Sequence, residues 1–216
     1  GPGLRLQDQA PDPDVCSRRM GTRGSLGGVS RATHEAALIL DACGKDVILI
    51  ETVGVGQSEI DIVKIADTVC LVLVPGMGDD VQIMKAGIME IADVFLVNKA
   101  DREGADKVVA DVRIMLDLTP QKAWRPPVLK TAAEKDQGID EAVEAVDAHG
   151  GFLQRTEEGR LRRYARLEME VEGILRREIA SLVERTWRER REEGVLEALA
   201  ERRLDPYSLA GELLDG

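Results

Sequence analysis

Gly44–Gln57 reads GKDVILIETVGVGQ, an apolar run that breaks straight into a glycine-rich turn carrying an acid, a hydroxyl and a glutamine. Val47, Ile48, Leu49 and Ile50 are too few for a helix and rich in β-branched side chains, which predicts a parallel strand covered on both faces. Glu51 and Thr52 would then stand at the strand's carboxyl end, where open α/β sheets bind their ligands. An acid there, followed by glycines whose backbone N–H groups can approach an anion, points to a phosphate and magnesium site. An ordinary strand-to-loop exit is the plainer alternative.

Working outward, strands and helices alternate. Upstream, Val15–Arg18 predicts a short strand, the glycine-rich MGTRGSLGG (Met20–Gly28) a loop, and Ser30–Ala42 a helix closed by Gly44. Downstream, a helix over Glu59–Ala66 leads to a strand at Thr68–Val74. A glycine and acid cluster, Gly76 to Asp80, follows, then a helix through Gln82 and Ile91 and a strand at Val94–Val97. A helix at Ala105–Leu116, a strand at Val128–Thr131 and a helix at Ile139–His149 complete the pattern. This spacing predicts right-handed βαβ units and a parallel sheet, an α/β domain over residues 1–150 that ends at Gly150 and Gly151. Residues 151–216 read as an all-helical arm. Leu161, Tyr164, Leu167, Val171, Ile174, Leu175, Ile179, Leu182 and Val183 recur three or four apart on one face, with charges on the other. Shorter helices follow around Gly194–Arg203 and after Asp205 and Pro206, a cap and first-turn pair. Such a stripe needs a second surface, either the α/β domain or a second copy; the prevalence of closed symmetric dimers favours a homodimer.

Composition narrows the classes. At 216 residues and 44% hydrophobic the chain can bury a sizeable core, and a net charge of -11 argues against a nucleic-acid binder, which needs a basic face. Cys16, Cys43 and Cys70 are scattered, and with His34 and His149 they make no ligand cluster at metal spacing. Free cysteines and the lack of a long apolar run point to the cytoplasm, away from any membrane.

The most specific signal is Asn98, Lys99, Ala100, Asp101 at the end of a strand. A carboxylate such as Asp101 can accept both the ring N–H and the exocyclic amine of guanine, a pattern adenine lacks. The Lys99 stem can pack on the base plane, and Asn98 can tie loops together. Thr131, Ala132 and Ala133, ending the next strand, are placed to offer a backbone N–H to the guanine carbonyl oxygen.

ETVGVGQSE, then PGMGDD with a downstream lysine, then VNKAD, then an arm ending in LDPYSLAGELL resemble the MeaB/ArgK/MMAA family of P-loop GTPases. The resemblance covers nearly the whole chain. It implies a GTP- and GDP-binding, Mg2+-dependent GTPase that acts as a chaperone of adenosylcobalamin-dependent methylmalonyl-CoA mutase and dimerises through its arm. It further implies that Glu51 faces the magnesium shell through water and that Gly54, Val55, Gly56 and Gln57 form the switch around the γ-phosphate. Asp79, Asp80 and Lys85 would belong to a third switch that couples nucleotide state to the mutase, while Asn98, Lys99 and Asp101 hold guanine. One departure matters. The family's first strand, Walker A loop and magnesium-binding aspartate segment have no counterpart here, since Met20–Gly28 has neither the GxxxxGK[ST] spacing nor its lysine. Phosphate positioning and charge neutralisation are nearly all of phosphoryl-transfer catalysis, so this chain alone is expected to hydrolyse GTP weakly or not at all. Gln57 also lies two residues beyond the place after the switch glycine, which Val55 occupies, and this predicts slow intrinsic turnover. The alternatives are a non-catalytic interaction and dimerisation module or, disfavoured by Asp101, an amino-acid transport kinase or ATPase.

Overall fold

A computed structural model describes residues 14–18, 31–52, 62–76, 88–120, 122–192 and 194–215. Helix α1, Arg31–Ala42, ends as expected at Gly44, whose φ of +78° lets the chain turn out of the helix. Three short parallel strands follow in sheet order β1 (Cys70–Leu73), β2 (Val94–Val97), β3 (Val128–Lys130). The registers pair Cys70 with Val94 and Leu73 with Val97, and then Phe95 with Val128 and Val97 with Lys130. Helix α2 (Ile88–Ile91) precedes β2, α3 (Ala105–Leu118) joins β2 to β3, and α4 (Ile139–Arg155) follows β3.

Val108, Val109 and Val112, three or four apart on α3, join Leu73, Ala92, Phe95, Val97 and Ala105 in one buried cluster. Phe95, Val97 and Val112 are wholly removed from water. At about 25 cal/mol per Å² of apolar surface, that cluster is the main force holding helix to sheet.

Four expectations are corrected. Val47–Ile50 is not a strand; Val47 is 74% and Leu49 91% exposed. A strand is a property of a pair, and among the described residues β1 is bonded on the β2 side alone, so this apolar run has no ladder to join. Val15–Arg18 is exposed coil for the same reason. The helix expected to stop at His149 instead runs through Gly150 and Gly151 to Arg155. Glycine weakens a helix interior by about 1 kcal/mol without forbidding it, and the large Phe152 that follows packs on Trp124. Of the helix expected over Glu59–Ala66, the described part is a single 3-10 turn, Ile62–Lys64.

The chain separates into two compact units, Gly1–Gln154 and Arg155–Gly216. The second is built on α5, Glu157–Glu192, whose 36 residues span about 54 Å. Ion pairs at helical spacing, Glu158 with Arg162, Glu172 with Arg176 and Glu184 with Arg188, line its polar side. Helices α6 (Val195–Ala200) and α7 (Pro206–Asp215) fold back on α5, burying Leu209 and bringing Glu212 to 3.6 Å from Arg190. Asp205 caps α7 as its sequence suggests. Its carboxylate accepts from Ser208 Oγ at 2.6 Å, Ser208 N at 2.7 Å and Tyr207 N at 3.3 Å. These bonds, that from the Ser208 hydroxyl foremost, hold the Asp205 carboxyl below its usual range. The cap is therefore in force above the ordinary carboxylate range and lost as pH falls through the depressed value.

Candidate functional site

Parallel strands deliver their carboxyl ends to one edge of a sheet, and here that edge carries the Asn98–Asp101 turn and the Thr131–Ala133 loop. Asn98 leaves β2 with its N–H bonded to Leu73 O at 2.8 Å, and Thr131 leaves β3 with its N–H bonded to Val97 O at 2.9 Å. Ala100 N–H donates to Thr131 O at 2.9 Å, so the two loops are joined by backbone. Side chains add to this. Asn98 Oδ1 accepts from Thr131 Oγ1 at 3.3 Å and from Ala133 N–H at 3.2 Å. Thr131 and Ala132 are buried, while Ala133 is exposed.

Lys99 takes a left-handed φ of +56°, unusual for a side-chain-bearing residue, and its carbonyl accepts from Arg102 N–H at 2.9 Å. That tight turn lifts the Asp101 carboxylate to the surface beside the Thr131 loop. There Lys135 Nζ meets Asp101 Oδ2 at 2.8 Å. The hydrogen bond from Lys135 is the largest cause holding the Asp101 carboxyl below its usual range, so the group is an ionised acceptor throughout the neutral region.

Beyond Thr131 the chain makes a closed turn. Ala133–Lys135 is a 3-10 turn, and Ala132 and Gln137 form an antiparallel bridge with Ala132 N–H to Gln137 O at 2.9 Å. Gly138 follows at φ +72°, where an added Cβ would lie 2.2 Å from Lys130 O. Neither Gly138 nor Lys135 is among the residues the sequence singles out. A glycine at a fixed step after the Thr131 loop and just before a helix start is a signal that could have found the first; the second has only its nearness to the loop.

Asn98, Lys99, Asp101, Thr131, Ala132 and Ala133 are thus brought together. Glu51 is exposed at the end of the unpaired run, and no bond joins it to that group. Gly54, Gln57, Asp79, Asp80 and Lys85 lie outside the described residues. Among the described residues no group of three or more His, Cys, Asp or Glu could hold a metal ion. At the head of β1, desolvation pushes the Cys70 thiol up and the Asp93 charge adds to the effect, so the thiolate is disfavoured there.

A parallel α/β sheet with such loops at its carboxyl edge is the architecture of a P-loop nucleotide-binding protein. The crystal structure of a LAO/AO transport system kinase superposes with a TM-score of 0.57 at 27% identity, covering 84% of this chain and 60% of that one. The family model of the methylmalonyl-CoA mutase-associated GTPase MeaB matches residues 1–188, and the chain belongs to that family. A Pyrococcus abyssi relative named as a GTPase is 47% identical over 218 residues, which is 99% of this chain and 67% of the relative. The mouse mitochondrial methylmalonic aciduria type A homolog is 38% identical over 146 residues, covering 65% of this chain and 35% of that protein. The chain thus spans about two thirds of the archaeal relative and about one third of the murine one.

Proposed function

We propose that this chain is the guanine-reading and arm-bearing part of a cytoplasmic GTPase that assists adenosylcobalamin-dependent methylmalonyl-CoA mutase. The observation that carries this is the juxtaposition of the Asn98–Asp101 turn with the Thr131–Ala133 loop at one sheet edge. Asp101 accepts the guanine N1–H and exocyclic amine, the Lys99 stem covers the base plane, and the Thr131–Ala133 loop supplies an amide to the carbonyl oxygen. Magnesium takes carboxylate and phosphate oxygens and retains waters, and the exposed Glu51 is a donor of that kind, holding the ion through water. The ion would neutralise phosphate charge. Gly54 and Gln57 serve the γ-phosphate and its attacking water, and Asp79, Asp80 and Lys85 relay the nucleotide state to the mutase.

A strand ending in a phosphate-binding loop fits beside β1. The exposed Val47 and Leu49 and the β1 edge left unbonded among the described residues are the surfaces such a strand would cover.

Asp101→Asn tests the base reading. An amide keeps an acceptor but replaces the second with a donor, so guanine loses one charge-assisted bond and meets a like dipole. In competition between nucleotides, guanine preference over adenine falls about 100-fold, and xanthine, with a carbonyl in place of the amine, becomes the better ligand. Unchanged guanine preference would dismiss Asp101 from the site.

The exposed stripe of α5, Leu161 through Val183, supports a second role as a dimerising module that works without turnover. Replacing Leu175 and Leu182 together by Glu is expected to convert a sedimenting dimer to a monomer while nucleotide preference stays the same. A monomeric parent chain would end the dimer reading.

A further inference from the structure

The base slot is closed upon itself. Guanine needs an anionic acceptor for its N1–H and amine and an amide donor for its carbonyl, and the chain already engages both kinds of group internally. Lys135 Nζ lies on Asp101 Oδ2 at 2.8 Å. The amides of Thr131, Ala132 and Ala133 donate to Val97 O at 2.9 Å, Gln137 O at 2.9 Å and Asn98 Oδ1 at 3.2 Å. Because Lys135 sits on the turn that follows Thr131 while Asp101 sits on the turn that follows β2, their bridge crosses between the two loops that would clasp the base edge.

We propose that Lys135 is a self-ligand of the base slot: its ammonium takes the place on Asp101 that a guanine edge takes, so an entering nucleotide displaces it. This rests on the guanine reading of Asp101. The backbone around it is pinned by the Ala132–Gln137 bridge and by Gly138 against Lys130 O, so Asp101 is freed by the movement of one exposed, flexible side chain, while the guanine carbonyl shares the amide of the exposed Ala133, whose bond to Asn98 Oδ1 is the longest of the three at 3.2 Å. Lys135 therefore sets affinity and specificity together. A base that offers a donor pair to Asp101 replaces the lost ion pair, whereas adenine, which offers none there, leaves the latch shut.

Titration of GMP and AMP into the full chain, followed by amide chemical shifts, tests this without reliance on a phosphate cradle. Lys135→Met keeps the stem and removes the charge. It is expected to tighten GMP about two- to five-fold at low salt, the range an exposed ion pair spans, and to leave AMP unchanged. Lys135→Arg, which restores the cation, binds GMP no more tightly than the parent. At about 1 M salt, where screening acts within roughly 3 Å, the gain from Lys135→Met disappears. Unchanged or weaker GMP binding by Lys135→Met would overturn the latch. If Asp101→Asn at the same time abolishes the preference for GMP, the base reading survives that failure. If Asp101→Asn leaves the preference intact, or no variant binds GMP saturably, both are overturned.

Discussion

His149→Ala lowers the unfolding free energy of the α/β unit by about 3 to 5 kcal/mol, the range for emptying a large buried ring site. The ring is completely buried, and its contacts come from three distant parts of the chain. Thr68 Oγ1 shares a hydrogen bond with Nδ1 at 2.8 Å, and Asp93 Oδ1 lies 3.3 Å from Nε2. Trp124 packs against it with its ring plane tilted by 54° and Phe152 stacks on it, with centroids 4.9 Å and 6.1 Å away. Asp93, itself buried, also takes Val69 N–H on Oδ2 at 3.0 Å, while its backbone carbonyl takes the Trp124 indole N–H at 2.9 Å. Thr68, Val69 and Asp93 lead into β1 and β2, so this network fastens α4 to the amino end of the sheet, opposite the Asn98 and Thr131 loops.

Removing the imidazole takes away ring packing and the group that faces a buried carboxylate, and both losses point the same way. Urea unfolding followed by Trp124 fluorescence in a Trp187→Phe background reads the loss. Thr68→Val, which deletes one hydroxyl and keeps the shape, is expected to cost about 1 kcal/mol. If His149→Ala were no worse than Thr68→Val, the ring would be a passenger and not the fastening of α4.

That network was not legible in the sequence. His149 reads there as a stray residue without metal partners, because its neighbours Thr68 and Asp93 are set by sheet register and no local spacing reveals them. What was legible is order along a period: the apolar runs Cys70–Leu73 and Val94–Val97 and the valines of α3 announce strand and helix, and the residues at strand ends follow by position. Asn98 and Thr131 meet because parallel strands end on one side. Val47–Ile50 has the same local signal as β2 and fails, since pairing needs a neighbour and burial cannot be read from one segment. Lys135 and Gly138 escaped because their roles depend on a carboxylate and a carbonyl that only the folded turn brings near.

Gly138→Ala carries the second large effect, and a control sits within the same chain. Gly138 has φ +72° and Gly44 has φ +78°, so alanine at either position meets the left-handed penalty of about 1 to 2 kcal/mol. Only at Gly138 would the new methyl meet backbone: Lys130 O at 2.2 Å, Lys130 C at 3.2 Å and Thr131 Cα at 3.3 Å, against nothing within 4 Å at Gly44. Those atoms cannot retreat freely, because Lys130 is held in register with Val97 and Thr131 N–H is bonded to Val97 O. Overpacking of this kind adds about 1 to 3 kcal/mol. Gly138→Ala is therefore expected to destabilise by roughly twice as much as Gly44→Ala or more, in urea unfolding of the same unit. Relief of the clash must push the Ala132–Gln137 bridge away from β3, and this moves Ala133 off Asn98 and carries the loop amides away from the carbonyl they face in the proposed site, a loss that outweighs the release of Asp101 from Lys135. GMP binding should then fall in Gly138→Ala and stay unchanged in Gly44→Ala. Equal stability losses and equal GMP affinities in the two variants would mean that the Thr131–Gly138 turn yields easily, and that the close approach to Lys130 does not hold the Thr131–Ala133 loop in place.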